Sequence, residues 1–389
     1  MSTLSPLHLP PPTGGRVDVL IVAGEHSGDE HGARVVRELR AKQPGVVVVA
    51  LGGPQLAAAG AQLLHDLTSS SVVGLLEVLK HYPFFKALFA DTLRWIAEHR
   101  PRVVCFVDYP GLNLRLAAAL RERGLSVKGG GKIQTLYYIS PQIWAWKAKR
   151  RFTMARDLDA MAVIFPFEPA CYADTTLPVE FVGHPFMAPD YEAPVRYDPA
   201  APVLLLPGSR RQAVSRIFPA LLAGFQAYGQ REAVVLYPSA AILEVLQAAR
   251  PPAAVRLLRG GEDRAGQGPL AASAVLTSSG TMSMQCALAA IPGAIAYRAH
   301  PLTYVLGRML VNVEYLGIAN LLLNEPMYPE YIQGAATPAA LAAELRASLD
   351  QPARRERTAE QARRLRAALA VPATGTAADW LWRHLGRGE

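Results

Sequence analysis

Three stretches of this chain hold residues whose types and spacing could do chemistry. Pro207-Gly208-Ser209-Arg210 follows the apolar run Val203-Leu204-Leu205-Leu206 and precedes a helical pattern from near Ala213. A strand, a small-residue loop and a helix start leave N–H groups pointing outward at the positive end of a helix dipole, and the planar fork of Arg210 suits phosphate oxygens. An anion site is one reading, and an ordinary strand-to-helix turn with a solvated arginine is the other. Ser278-Ser279-Gly280-Thr281 repeats the plan after Ala274-Val275-Leu276-Thr277, with hydroxyls and no carboxylate in the turn, which suits a diphosphate. Asp108 ends the run Arg102-Val103-Val104-Cys105-Phe106-Val107, at the edge where open α/β sheets bind ligands. Its carboxylate can act as a general base or cap the helix that covers Leu114 to Arg123.

Two further segments mix apolar and cationic residues. Trp144 and Trp146 stand beside Lys147, Lys149, Arg150 and Arg151, a set that can stack on a sugar or base and pair with phosphate, or form a packing cluster with a solvated basic helix. From Val72 to Phe89 the apolar residues, among them Leu75, Leu79, Phe84, Phe85 and Phe89, outnumber what one buried helix face needs. A membrane-facing or acyl-chain patch fits them, and so do two core helices joined at Pro83.

The elements that position these residues repeat. Val17-Asp18-Val19-Leu20-Ile21-Val22-Ala23 runs into Gly24-Glu25-His26-Ser27-Gly28-Asp29 and a helix, as the run at Val203 does, which predicts two Rossmann-like halves facing each other across a cleft. Further strands are expected at residues 46–51, 133–139, 159–165 and 234–237, with helices at 213–228 and 240–249. Residues 1–15 read as a disordered, Pro-rich leader and not a signal peptide, 16–190 as the first domain and 191–202 as a linker. Residues 203–355 form the second domain, and the helices of 356–389 are expected to pack back on the first.

The chain has 389 residues, of which 51% are hydrophobic, enough for two cores. An excess of 40 Lys+Arg over 32 Asp+Glu gives a net charge of +8, which points to acidic partners such as phosphates, anionic lipid or nucleic acid. Cys105, Cys171 and Cys286 are too scattered for a disulfide framework or a metal site, as a reducing cytoplasm would allow. The uncharged residues 265–297 are broken at Ser278-Ser279-Gly280-Thr281 and Ile291-Pro292-Gly293, so they read as strand, loop, helix and strand and not as a membrane span.

Taken in order, Ala23 to Asp29, Gly74 to Val78, Val107 to Asn113, Ser140 to Trp146, Pro166-Phe167-Glu168, Gly183-His184-Pro185, Leu206 to Arg210, Ser279-Gly280-Thr281 and Tyr297-Arg298 strongly resemble the lipid-A-disaccharide synthase family. The resemblance runs from about residue 17 to about residue 345. It implies an inverting glycosyltransferase of the type-B fold without cofactor or bound metal. Such an enzyme transfers 2,3-diacylglucosamine from UDP to the 6-hydroxyl of 2,3-diacylglucosamine 1-phosphate at the anionic cytoplasmic face of the inner membrane. Nucleic acid is no partner on this reading, and a homodimer is left open. The implied catalytic residues are Asp108, as general base, and Asn320, in Gly317 to Leu322. Ser209, Arg210, Ser279, Gly280, Thr281 and Arg298 are expected on the UDP diphosphate, with Glu25, Ser27, Gly28, Asp29 and Asn113 toward the acceptor. Gln285 stands where the family usually has a ribose-binding glutamate; its amide can still bond hydroxyls but lacks the charge. The competing readings are another UDP-N-acetylglucosamine-dependent transferase or epimerase of this fold, and a basic binding protein that has lost catalysis.

Overall fold

Strands that are apolar at every position, not at alternate ones, are covered on both faces by helices. The computed structural model has this arrangement twice. It describes residues 9–68, 75–229, 231–260, 266–300, 304 and 313–386, with the backbone alone for 75–82. Two compact units emerge, Met1–Pro185 with Val371–Glu389, and Phe186–Ala370.

The first unit runs β1 (Val19–Ala23), α1 (His26–Lys42), β2 (Val48–Gly52), α2 (Pro54–Ala58), β3 (Gln62–Asp66), α3 (Leu75–His99), β4 (Val103–Val107), α4 (Pro110–Glu122), β5 (Gln134–Tyr138), α5 (Arg150–Asp157), β6 (Ala160–Val163) and β7 (Val179–Phe181). All seven strands are parallel, in the order β3-β2-β1-β4-β5-β6-β7. Strands β1, β2 and β4 are buried at every residue. The strand order reverses between β1 and β4, so the loops leaving these two strands part to opposite faces and open a crevice at the carboxyl edge.

The second unit runs β8 (Val195–Tyr197), β9 (Val203–Leu206), α6 (Arg211–Tyr228), β10 (Ala233–Tyr237), α7 (Ala240–Ala248), β11 (Val255–Arg259), β12 (Leu270–Ala272), β13 (Val275–Thr277), α8 (Thr281–Leu288), β14 (Gly293–Tyr297), α9 (Ile318–Leu323), β15 (Glu330–Ile332), α10 (Pro338–Asp350) and α11 (Pro352–Leu369). Its main sheet is parallel in the order β11-β10-β9-β13-β14-β15, and β8 pairs with β12 apart from it. Here the order reverses between β9 and β13. The uncharged stretch 265–297 supplies β13, α8 and β14, the strand, loop, helix and strand expected of it, with one further short strand, β12, before them.

The units divide at Phe186, ahead of residues 191–202, where β8 bonds in register with β12. Helix α11 stays with the second unit because buried Arg354 fastens it: the guanidinium donates to Glu344 Oε1 (3.0 Å), Thr358 Oγ1 (2.8 Å), Gly293 O (2.9 Å) and Met327 O (3.1 Å). The final helix, α12 (Ala377–Gly386), belongs to the first unit. There it buries Trp380 and its carbonyls accept from Arg102 and Gln134. The leader is corrected for its described part: Trp95 Nε1 donates to Pro10 O (2.9 Å) and Gln62 Nε2 to Pro11 O (2.9 Å). Prolines lack donors, but their carbonyls accept as any other does.

The apolar segment 72–89 also differs from a free lipid-facing stripe. Val72, Val73 and Gly74 lie outside the described residues, as do the side chains of Leu75 and Leu79. Phe84, Phe85 and Phe89 are half-buried and packed against the core of the first unit, with Phe84 edge-on to Phe85 at 5.6 Å and 5.9 Å from the His65 ring. One helix runs through Pro83 instead of two meeting there, and ring packing of this kind offsets the roughly 3 kcal/mol cost of an interior proline. A fully buried phenylalanine cut short costs about 3–5 kcal/mol, and half-burial roughly halves that. Phe84→Ser with Phe85→Ser should therefore lower stability by about 3–5 kcal/mol in a thermal melt; an unchanged melt would show the rings idle.

Candidate active site

In the first unit the crevice between the β1 and β4 loops is closed at its floor by side chains holding backbone. Asp108 and Tyr109 both adopt left-handed conformations, φ 46° and 50°, where non-glycine residues cost about 1–3 kcal/mol each. Neighbours hold the turn in place. Tyr137 Oη donates to Asp108 O at 2.6 Å, Asn113 Nδ2 donates to the same oxygen at 2.7 Å and to Val22 O at 3.2 Å, and Asp108 N donates to Tyr138 O. The Tyr109 ring lies over Gly24, so close that a Cβ there would stand 2.1 Å from it. Gly24 is thus required by contact, and it joins the first loop to the Asp108 turn. The Asp108 carboxylate is left half-buried at the carboxyl edge.

His184 leaves β7 at the same edge, buried, 5.3 Å from the Phe165 ring. Burial, with His31 nearby, pushes its pKa down to about 3, and burial with Arg34 lowers His31 to about 4. Both imidazoles are neutral at pH 7.

Glu25, the N-cap of α1, and Ser27 in its first turn are half-buried, and Gly28 packs toward Val107 O. Asp29 departs from the acceptor-side expectation. It is buried, and its carboxylate accepts from Gly53 N (2.8 Å), Gln55 N (3.0 Å) and Leu56 N (3.1 Å). It caps α2 and is a structural residue.

In the second unit the two small-residue loops meet. Leu206 of β9 pairs with Thr277 of β13, Ser278 N donates to Leu206 O at 2.8 Å, and a Cβ on Gly208 (φ 108°) would come within 3.2 Å of Ser278 Oγ. The N-termini of α6 and α8 therefore lie side by side at the switch point, bringing together Ser209, Arg210, Ser279, Gly280 and Thr281. Ser209, Arg210, Gly280 and Thr281 are exposed. Two helix starts with free N–H groups and a guanidinium make an anion cradle.

The remaining expected residues serve the frame. Arg298 Nη2 donates to Ala336 O at 2.8 Å. Asn320, expected in catalysis, is fully buried: Nδ2 donates to Tyr328 O (2.7 Å) and Glu330 Oε1 (2.9 Å), and Oδ1 accepts from Tyr328 N (2.9 Å). Glu330 accepts in turn from Leu316 N and Gly317 N, so the pair fixes the loop entering α9. Each buried group left unpaired costs about 1–3 kcal/mol, so Asn320→Ala should lower the melting point by about 3–5 kcal/mol worth of stability. A variant that melts as the wild type does but is inactive would return Asn320 to the chemistry.

Gln285 is buried on α8. Its Nε2 donates to Tyr191 Oη at 2.9 Å, while its Oε1 has no partner. Beside it lies a cavity of about 280 Å³ lined by Tyr191, Arg196, Tyr197, Leu288 and Arg366. Sequence reasoning missed Tyr137 and Glu330. A tyrosine in a buried strand signals a hydroxyl that must find an acceptor; for Glu330 no local signal exists.

The sequence profile of the family described as Lipid-A-disaccharide synthetase matches residues 19–374. The lipid-A-disaccharide synthase of Geobacter sulfurreducens is 37% identical over 352 residues, 87% of this chain and 90% of its own. The UDP-GlcNAc 2-epimerase of Neisseria meningitidis, solved with UDP-GlcNAc bound, has the same fold at TM-score 0.59 and 11% identity, covering 95% of this chain and 100% of its own. So does the spinosyn forosaminyltransferase, at TM-score 0.57 and 13% identity, with 96% and 99% covered. At these identities the solved structures carry the type-B glycosyltransferase fold alone, whereas the profile spans nearly the whole chain: it belongs to the lipid-A-disaccharide synthetase family.

Proposed function

We propose that this enzyme of lipid A disaccharide synthesis joins UDP-2,3-diacylglucosamine to 2,3-diacylglucosamine 1-phosphate, with Asp108 as general base. The acceptor 6-hydroxyl loses its proton to the carboxylate and attacks the anomeric carbon from the face opposite UDP. The glycosidic bond to UDP breaks, and the leaving diphosphate takes up negative charge. The observation that carries this reading is the side-by-side start of α6 and α8, where Gly208 meets Ser278. Their N–H groups, with Arg210, Ser209, Ser279, Gly280 and Thr281, stabilise charge where it develops. The unpartnered Oε1 of Gln285 is suited to accept from a ribose hydroxyl. Asn320 and Asn113 act by holding backbone, and Arg298 by bracing the end of β14.

Acylated substrates favour a membrane surface, on this reading the cytoplasmic face of the inner membrane, and the +8 charge supports contact with an anionic one. No described helix is long and apolar enough to cross a membrane. A UDP-sugar with an α anomeric bond should give a β-linked disaccharide, read as the anomeric proton coupling by NMR. Retention of configuration would exclude direct displacement by the acceptor.

A further inference from the structure

The cationic and aromatic segment after β5 takes no part in the account so far. Strand β5 pairs with β4 so that Tyr138 lies opposite Val107, one residue before Asp108. The chain then turns through left-handed Ile139 (φ 67°) and is pinned by Ser140 Oγ, 2.7 Å from Tyr172 Oη. Trp144 packs edge-on against Phe167 at 5.5 Å and Phe165 at 6.5 Å. Trp146, two residues on, is left 37% exposed. Lys147, itself left-handed (φ 54°), places Nζ 4.4 Å from the Trp146 ring centre, and Arg150 places its guanidinium carbon 5.5 Å from it.

Of the neighbouring cations, Arg151 pairs with Asp174 at 2.5 Å and Arg156 with Asp157 at 2.8 Å. Lys147 and Arg150 have no carboxylate partner among the described residues. Two like charges converge on one indole without a counter-ion, at the edge that carries the general base. Tyr137 links the two places. Its hydroxyl donates to Asp108 O, and burial holds its phenol well above the usual range, with the Asp108 and Tyr172 groups adding to this and Arg150 opposing it. Phe152 and Phe167, 50% and 38% exposed, leave apolar surface on the same segment.

We propose that Arg150 and Lys147, set over Trp146, bind the phosphate of the acceptor, with the indole against its sugar ring. The inference rests on the transferase reading above. A guanidinium and an ammonium suit a phosphate dianion, and an indole face suits the C–H face of a sugar. The acceptor carries both, and the donor's own phosphates belong to the other unit.

The test uses the full chain in detergent micelles with two acceptors, 2,3-diacylglucosamine with and without the 1-phosphate. For Arg150→Ala, KM for the phosphorylated acceptor should rise roughly 10–150-fold, the scale of one charged hydrogen bond. KM for the donor should not change, Arg150→Lys should recover part of the loss, and the phosphate-free acceptor should serve wild type and variant equally. Trp146→Ala should weaken both acceptors alike. An unchanged KM in a folded Arg150→Ala overturns the proposal, as does an equal loss with both acceptors. A loss seen only with vesicle-borne substrate also overturns it and makes the patch a membrane surface. If wild type joins neither acceptor to the donor, the transferase reading itself has failed.

Discussion

Asp108→Asn should fold as the wild type does and lose disaccharide formation by about two to four orders of magnitude, the usual scale for removing a general base. The turn carrying it is held through main-chain atoms, Asp108 O accepting from Tyr137 and Asn113 and Asp108 N donating to Tyr138. None of these bonds uses the carboxylate, and an amide of the same shape leaves them in place. On the proposed mechanism, what disappears is the capacity to take a proton from the acceptor hydroxyl. The measurements are kcat with both acylated substrates and a melt alongside. Near-normal turnover in a folded variant would reduce Asp108 to a turn residue.

Arg210→Ala should weaken UDP binding roughly 10–150-fold, since a charged hydrogen bond is worth about 1.5–3 kcal/mol. Arg210 is exposed, extended (φ −98°) and stands at the N-cap of α6, to which it gives no side-chain cap hydrogen bond. The N–H groups of both helix starts remain, which is why the loss is partial. Calorimetry with UDP reads it directly. Equal affinity in wild type and variant would put the diphosphate elsewhere.

What was legible in the sequence is what local pattern controls. Uninterrupted apolar runs such as Val203–Leu206 gave parallel strands, and Gly208 and Gly280 marked loops into helices that begin within about two residues of the expected place. Two Rossmann-like halves and the cradle in the second unit follow from these, whereas the type-B glycosyltransferase fold was implied by the family resemblance. Partners distant in the chain were hidden. Asp29 sits in a recognisable loop, yet its carboxylate turns to the N–H groups of residues 53–56. Asn320 looks available for chemistry until Tyr328 and Glu330 are seen around it. Phe84 and Phe85 show the same limit, because apolar excess cannot tell a lipid-facing ring from one packed on a core. The division of the last helices, α11 on one unit and α12 on the other, rests on Arg354 and Trp380, whose partners lie far along the chain.

The central claim is the reaction, and the most direct measurement is product analysis of purified protein given UDP-2,3-diacylglucosamine and 2,3-diacylglucosamine 1-phosphate. The account predicts tetra-acylated disaccharide 1-phosphate and UDP in equal amounts, and no disaccharide when UDP-N-acetylglucosamine replaces the acylated donor. Folded protein that yields no disaccharide from the acylated pair, or that instead transfers or epimerises the unacylated sugar, would contradict it.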